Sequence, residues 1–328
     1  MHQGEPARRS VDDELHPPHI DGVDGERQQA WSRFVARAAR ATACLNRDEW
    51  AGAKEEVDRA LDEVRPFMGE TTDGDAFDDA PSWVPDHLAA HLAETLLVGL
   101  RAAYLTNDLA AALPLGRAAL KTAGRFGLST LEARAHNDLA SLYGRRDFHE
   151  RALHHLRSGV EVLENAGLPV LPQLLTNLGN VYLGNQRLDE ALGCFQRGRA
   201  GFEAAGDAFG AAIARSNEGR LLVMTGKPKK GIVALKEALE AFSRLDRRAY
   251  VAVTLSKIGT ACAALGDSAT AERWFQDALI AMADEPLPFR GEIHESYGVF
   301  LLECGRAGES LEQFEAAEER CKQAGSDG

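Results

Sequence analysis

The sequence predicts an all-α protein built from repeated helix pairs, and composition, periodicity and internal repetition support this prediction. Alanine and leucine dominate the apolar residues, which make up 45% of the 328-residue chain, and extended runs of β-branched residues are missing. Such a composition favours helices over strands. Apolar residues recur at the i, i+3, i+4, i+7 spacing of a buried helix face. The same pattern then returns at nearly constant intervals along the chain.

The stretch from Thr176 to Phe195 is the clearest helix pair. Its apolar residues form two sets at helical spacing, and the polar run 184–187 separates them. We therefore expect two short antiparallel helices. Gly179 stands in the middle of the first helix, where glycine is about 1 kcal/mol less favourable than alanine. We expect a packing reason for this glycine, namely close approach of the two helices at Gly179 and Ala191.

Small residues equivalent to Gly179 recur along the chain. They anchor seven repeats, at Ala41, Gly99, Ala140, Gly179, Gly219, Gly259 and Gly298. Each anchor is followed by a small residue twelve positions on, an apolar residue sixteen positions on and a small residue nineteen positions on. The intervals between anchors are 58, 41, 39, 40, 40 and 39 residues. This repetition predicts about seven helix pairs between residues 29 and 325.

The residues of this template resemble a known repeat. Those at the places of the tetratricopeptide repeat (TPR) signature W-x2-L-G-x2-Y…A-x3-F are Leu175, Leu178, Gly179, Tyr182, Ala191 and Phe195, with leucine for the tryptophan. The interval exceeds the basic TPR period of about 34 residues. This longer unit and the string Asn-Leu-Gly-Asn at 177–180 resemble the repeats of kinesin light chains, LGN/Pins-type adaptors and bacterial regulatory TPR proteins. The resemblance implies a right-handed α-solenoid of about seven TPR helix pairs.

Two segments fall outside the repeat pattern. Residues 1–28 mix proline, glycine, histidine and charge without periodicity, so we expect a flexible N-terminal tail. The long first interval exposes an insertion at 66–86 with six carboxylates and no lysine or arginine. Phe77 stands where an EF-hand needs its third ligand, so we expect a solvated acidic loop rather than a calcium site. We hypothesise that this loop folds back onto a basic groove and competes with partners.

Sequence motifs for catalysis are not found. The chain has no phosphate-binding loop, no G-x-S-x-G motif and no zinc-protease motif. His87 and His91 are one helical turn apart and could share a metal ion, but no third ligand is identified beside them. The five cysteines are widely spaced, without a C-x-x-C pair. We therefore expect no enzyme activity, no cofactor and no metal ion.

The resemblance to TPR proteins implies that the first helix of each pair lines a concave groove that binds a peptide. The positions that would face this groove are Arg134, Asn137, Asp138, Ser141 and Arg145 in the third repeat, Gln173, Thr176, Asn177 and Asn180 in the fourth, Ser216, Asn217 and Arg220 in the fifth, and Ser256, Lys257 and Thr260 in the sixth. Asparagine can donate to and accept from an extended backbone, and arginine and lysine can bind anions. The alternative is a solvated wall whose polarity reflects exposure alone.

The carboxylate clamp of chaperone-binding TPR proteins is a special case of such a groove. Asn180, Asn217 and Lys257 stand at clamp places, but Thr176 and Val253 replace two further members. A chaperone C-terminus is therefore not the ligand that we expect. We expect a protein or peptide partner with an acidic or extended motif.

The leading functional prediction is a non-enzymatic interaction scaffold or adaptor that binds an extended partner segment in the TPR groove. The alternative is a bacterial-type TPR regulatory sensor that binds a small peptide or ligand and changes conformation. The formal net charge is −13, which argues against nucleic acid as a general partner. We expect no segment of membrane-spanning length and no signal peptide, and hence a cytoplasmic protein. The oligomeric state stays open.

Overall fold

The computed structural model describes residues 25–67, 86–144, 148–282 and 289–326. In these ranges the chain forms fourteen α-helices and one short 3-10 helix, without strands. The α-helices are α1 (Gly25–Asn46), α2 (Trp50–Val64), α3 (Asp86–Leu105), α4 (Leu109–Arg125), α5 (Ser129–Gly144), α6 (His149–Asn165), α7 (Pro172–Gly184), α8 (Leu188–Ala204), α9 (Ala208–Met224), α10 (Pro228–Arg244), α11 (Arg248–Ala263), α12 (Ser268–Ala281), α13 (Phe289–Glu303) and α14 (Ala307–Ser326). The 3-10 helix is Arg65–Phe67.

The helices form consecutive pairs in two compact units, with the boundary between Leu168 and Pro169. The first unit contains the pairs α1/α2, α3/α4 and α5/α6, and the second contains α7/α8, α9/α10, α11/α12 and α13/α14. Within the second unit, the first helices also contact one another, α7 with α9, α9 with α11 and α11 with α13. The prediction of an all-α protein with seven helix pairs is therefore confirmed, whereas the sequence analysis placed no boundary at 168.

Close packing explains the anchor glycines. A Cβ atom added to Gly179 would lie 2.6 Å from Cε1 of Phe195, the apolar residue sixteen positions on. The same pairing recurs at Gly219 with Leu235, Gly259 with Phe275 and Gly298 with Phe314. Because the phenylalanine or leucine fills the space beside the glycine, a side chain there would force the two helices apart. The packing reason expected for Gly179 is confirmed.

Each turn inside a helix pair of the second unit contains one residue with a left-handed backbone. In the α7/α8 turn this residue is Gln186, with φ 58°, and in the next turn it is Gly226, with φ 72°. The N–H of Arg187 donates to the Tyr182 carbonyl at 2.8 Å and closes the end of α7. Gly266 and Gly305 have the same role in the following pairs.

The described chain differs from the predicted boundaries at its start. The first helix begins at Gly25 rather than near residue 29, and most of the expected tail, residues 1–24, lies outside the described residues. Trp31 and Phe34 are buried and pack edge to face at 5.0 Å, so α1 contributes to the core. The expected acidic insertion also lies outside the described residues at 68–85, while Asp86 is the first residue of α3.

The prediction that no segment reaches membrane-spanning length is wrong for helix α3. In the described residues, one window, Leu88–Leu105, is long and apolar enough to cross a membrane. However, 67% of this window is buried inside the protein, which is typical of a core helix. Leu96, Leu97 and Leu100 are each 1% exposed and belong to the core of the first unit.

Candidate functional site

Two of the four groove residues predicted on α5 are buried. Asn137 and Asp138 are each 7% exposed, and the Asn137 side-chain amide donates to Asp138 Oδ1 at 3.1 Å. Arg101 on α3 donates from Nε to Asp138 Oδ2 at 2.7 Å. The Ser141 hydroxyl donates to the Asn137 carbonyl. These groups therefore bond to one another within the first unit, and a place for Asn137 and Asp138 in a binding groove stays a prediction.

The remaining predicted residues of the third repeat give little further support to a site in the first unit. Arg134 is half-buried, and its guanidinium lies 3.8 Å from the exposed carboxylate of Glu94. Arg145 lies outside the described residues. Arg101, the partner of Asp138, belongs to the preceding helix pair, so no pattern within the third repeat indicates it.

The second unit presents a different set on its first helices. On α7, Asn177 and Asn180 are half-buried and Gln173 is exposed, whereas Thr176 is 3% exposed. The Thr176 hydroxyl donates to the Pro172 carbonyl at 3.0 Å, so it serves its own helix. A ligand along α7 would therefore contact Gln173, Asn177 and Asn180 rather than Thr176.

On α9 and α11 the predicted residues come together around two cations, Arg220 and Lys257. Nζ of Lys257 lies 3.5 Å from Oγ of Ser216 on the neighbouring first helix. Ser216, Asn217 and Ser256 are buried, whereas Arg220 and Lys257 are half-buried. Thr260, the last predicted residue, is exposed, and its hydroxyl donates to the Ser256 carbonyl.

Neither cation has a carboxylate partner within 4.0 Å in the part of the chain that the structure describes. Nε of Arg220 is buried without a hydrogen-bond partner there. Burial lowers the pKa of the Arg220 guanidinium. Burial also lowers the pKa of Lys257 from 10.5 to about 8, and the positive charge of Arg220 adds to this effect. The carboxylate of Glu292 on α13 acts on both groups through space and opposes the lowering of their pKa values.

Two other arginines of the second unit, Arg199 and Arg215, are paired with carboxylates. The buried carboxylate of Glu218 on α9 accepts from Nε of Arg199 at 2.9 Å and from a terminal nitrogen of Arg215 at 2.7 Å. Nε of Arg215 donates to Glu237 at 2.7 Å. These hydrogen bonds raise the pKa values of both arginines. The contrast marks Arg220 and Lys257 as the uncompensated cations of this region.

A histidine pair lies between two helices of the first unit, α5 and α6. Nδ1 of His136 and Nδ1 of His155 are 2.9 Å apart, so one ring donates and the other accepts. The Tyr143 ring stacks on His155 at a centroid distance of 5.3 Å. Burial lowers the pKa of each histidine to about 4. Both rings are therefore neutral at pH 7, and the pair is a structural contact of the core.

The metal site considered at His87 and His91 cannot be placed, because the His87 side chain lies outside the described residues. Among the described residues, no group of three or more histidine, cysteine, aspartate or glutamate side chains is arranged to hold a metal ion. Four cysteines are described, and all have free thiols. Cys194 and Cys262 are buried within their helix pairs, which is consistent with small core residues.

Comparison with known proteins relates the fold to repeat proteins. Residues 171–242, which span α7 to α10, match the tetratricopeptide repeat family. No match was found among the curated proteins. The chain is similar to a Rap protein complexed with competence and sporulation factor, with a TM-score of 0.66, 14% identity and coverage of 90% of this chain and 77% of that chain.

Two further solved structures give the same result. NprR in complex with its cognate peptide NprX has a TM-score of 0.61 and 14% identity, over 84% of this chain and 77% of that chain. Aspartyl phosphate phosphatase F from Bacillus subtilis has a TM-score of 0.64 and 13% identity, over 90% of this chain and 72% of that chain. At these identities the likeness concerns the fold. The chain therefore has the helical-repeat fold of these proteins, and its residues 171–242 match the tetratricopeptide repeat family.

Proposed function

We propose that this protein is an interaction module whose second unit binds an extended segment of a partner protein or peptide. The observation that supports this most directly is the set of polar side chains on the contacting first helices α7, α9 and α11. Half-buried asparagines stand on α7, and two cations without carboxylate partners among the described residues stand on α9 and α11. The amides can hydrogen-bond to an extended backbone, and a carboxylate of the ligand would pair with the two cations.

The spacing of the helices suits an extended chain. Packed helices lie about 9 Å apart, so the distance from α7 to α11 is on the order of 18 Å. An extended peptide advances about 3.3 Å per residue, so roughly six residues would span the three helices. Asn177 and Asn180 each offer an amide donor and acceptor to the backbone of such a segment. The bound motif would therefore be short and extended.

The related folds support a peptide as the ligand. The Rap structure contains competence and sporulation factor, and the NprR structure contains its cognate peptide. By analogy of fold, we propose a non-enzymatic role for this chain and a location in the cytoplasm. Because a similar fold also occurs in an aspartyl phosphate phosphatase, the non-enzymatic role needs its own test. In the presence of the purified protein, aspartyl-phosphorylated proteins should lose phosphate no faster than by spontaneous hydrolysis.

The second candidate function is a regulatory sensor, and the uncompensated cations favour it. A ligand that pairs with Arg220 and Lys257 would remove an electrostatic penalty of the free protein. Binding would therefore stabilise the second unit and could be coupled to a change in its conformation. A peptide that raises Tm but leaves the small-angle scattering profile unchanged would favour the scaffold over the sensor.

Binding of a peptide library to the full chain tests the proposed function. Displayed peptides of about eight residues would be selected on the wild-type protein and then measured singly by fluorescence anisotropy. The double variant Asn177→Ala/Asn180→Ala should weaken binding about thirtyfold, since each of the two lost hydrogen bonds is worth about 1 kcal/mol. The matched control Asn185→Ala/Gln196→Ala removes two exposed amides of the same helix pair and should bind normally. Equal binding by both double variants would contradict a ligand on α7.

A further inference from the structure

The cation pair of the second unit has the properties of a site that lacks its anion. Arg220 and Lys257 stand on neighbouring first helices that contact each other, and the positive charge of Arg220 lowers the pKa of Lys257. Nε of Arg220 is buried and has no hydrogen-bond partner among the described residues. Lys257 has one contact, at the long distance of 3.5 Å from Ser216 Oγ. Buried charges are ordinarily paired, so the missing element is an anionic group.

We propose that Arg220, Lys257 and Ser216 form a binding site for one carboxylate group of the segment held in the second unit. This inference rests on the proposed function and specifies the chemistry of its ligand. The guanidinium of Arg220 would donate two parallel hydrogen bonds to the carboxylate oxygens, and the Lys257 ammonium would donate a third. The Ser216 hydroxyl, 3.5 Å from Nζ, holds the lysine beside this position.

The charge of the site selects a single carboxylate. Arg220 and Lys257 supply two positive charges, and Glu292 supplies one negative charge that acts on both of them. The resulting charge of +1 matches a monoanion, whereas a phosphate dianion would leave a net negative charge in a half-buried place. Glu292 is exposed, and its carboxylate lies more than 4.0 Å from both cations. It therefore reduces the positive charge of the site without pairing with Arg220 or Lys257.

The second unit also contains arginines that stabilise the fold by pairing with a carboxylate. Glu218 pairs with Arg199 and Arg215 in a network that connects α8, α9 and α10. Arg220 follows Glu218 by two residues on the same helix and is left outside that network. A structural cation at this depth would have a carboxylate beside it, as these two arginines have. The position of Arg220 is therefore explained by a ligand rather than by the core.

The carboxylate can come from two sources, an aspartate or glutamate side chain or the C-terminus of a peptide. Both present the same two oxygens to Arg220, and they differ in what lies beside the group. A C-terminal carboxylate ends the segment at α9 and α11, whereas an acidic side chain lets the segment continue to α13. Amidation of the C-terminus and replacement of the acidic side chain by its amide separate the two sources.

Acetate, a carboxylate without a peptide, tests the site independently of the proposed function. The full chain would be labelled with 13C at lysine Cε, and the Lys257 resonance would be followed by NMR at constant ionic strength while acetate replaces chloride. We expect a saturable shift of this resonance and a rise in the pKa of Lys257, since the anion stabilises the charged form. Arg220→Met should abolish the shift, whereas Arg244→Met, at an exposed arginine, should preserve it. An acetate response that is equal in all three proteins would overturn the proposal.

Measurements of peptide affinity provide the second test of the site. For a peptide selected on the wild type, either amidation of the C-terminus or an acid-to-amide change should reduce affinity about thirtyfold, as for loss of one partner of a buried charge pair. The same change should have little effect in Lys257→Met and its full effect in Lys229→Met, the exposed control. If neither change weakens binding, the carboxylate site is wrong and the peptide groove stands. If no peptide binds and acetate still shifts Lys257, the site stands and the proposed function fails.

Discussion

At the scale of single residues, Glu218 is a buried charge shared by two arginines of the second unit. Its buried carboxylate accepts hydrogen bonds from Arg199 and Arg215. Glu218→Gln leaves both guanidinium groups without their shared anion, so the free energy of unfolding should fall by about 3 kcal/mol. Urea denaturation followed by circular dichroism measures this change. Glu240→Gln removes an exposed ion pair with Arg244 and should cost less than about 1 kcal/mol; similar losses in both variants would contradict the role of Glu218.

The histidine pair of the first unit predicts a pH dependence of stability. Burial lowers the pKa values of His136 and His155 from 6.5 to about 4 in the folded protein. Between pH 6.5 and pH 4 the unfolded chain therefore binds more protons than the folded chain, and the free energy of unfolding falls as pH falls. Thermal unfolding at pH 7 and pH 5 should reveal this loss for the wild type.

The corresponding double variant supplies the control for the histidine pair. His136→Leu/His155→Leu removes both titrating groups, so its Tm should depend less on pH between 7 and 5 than that of the wild type. His154→Gln changes an exposed neighbour and should keep the wild-type dependence. A wild-type slope in the double variant would show that other groups are responsible.

Several site residues could not be read from the sequence, for a physical reason. The template places Asn137 and Asp138 at groove positions, and it identifies polarity but not burial. Asp138 is satisfied by Arg101, which lies 37 residues earlier in the chain, and pairings at that distance are not visible in a local pattern. Arg220 and Lys257 could be predicted as groove residues because they stand at the groove positions of the repeat template. Their lack of carboxylate partners among the described residues became apparent only from the three-dimensional contacts.

At the scale of helices, the anchor glycines decide how closely a pair can pack. Gly179→Ala would place Cβ at 2.6 Å from the Phe195 ring, so overpacking of about 1–3 kcal/mol should outweigh the gain in helix propensity. Gly193→Ala on α8 is the matched control, because a Cβ there meets nothing within 4 Å. Its higher helix propensity should stabilise the protein by about 0.5–1 kcal/mol. Opposite signs in urea denaturation are the expected result, and stabilisation by both variants would contradict the packing role.

The helix pairs were predictable because each repeat contains its own packing rule. A small residue, and an apolar residue sixteen positions on, are enough to specify two helices in contact, and both are visible in the sequence. The start of α1 at Gly25 was not predictable in this way, since it lies sixteen residues before the first anchor, Ala41. The unit boundary at Leu168 was missed as well, because the anchor interval across it, 39 residues, resembles the others.

At the scale of the whole molecule, the uncompensated cations connect stability with binding. The pKa of Lys257 is about 8 in the folded protein and near 10.5 in the unfolded chain. Between these values the unfolded chain binds more protons, so the contribution of Lys257 to the free energy of unfolding rises with pH across this window. Below pH 8 the folded protein contains a charged, poorly solvated ammonium, which lowers its stability.

Replacement of this lysine should therefore make the protein more stable and less able to bind. In Lys257→Met a flexible apolar side chain fills the same space, so Tm at pH 7 should rise and its dependence on pH between 8 and 10 should decrease. Binding of a carboxylate-containing peptide should weaken about thirtyfold in the same variant. Lys229→Met, at an exposed position, should change neither property. If Lys257→Met lowers both stability and binding, Lys257 is a structural residue. Higher stability together with weaker binding is the result expected for a residue retained for its ligand.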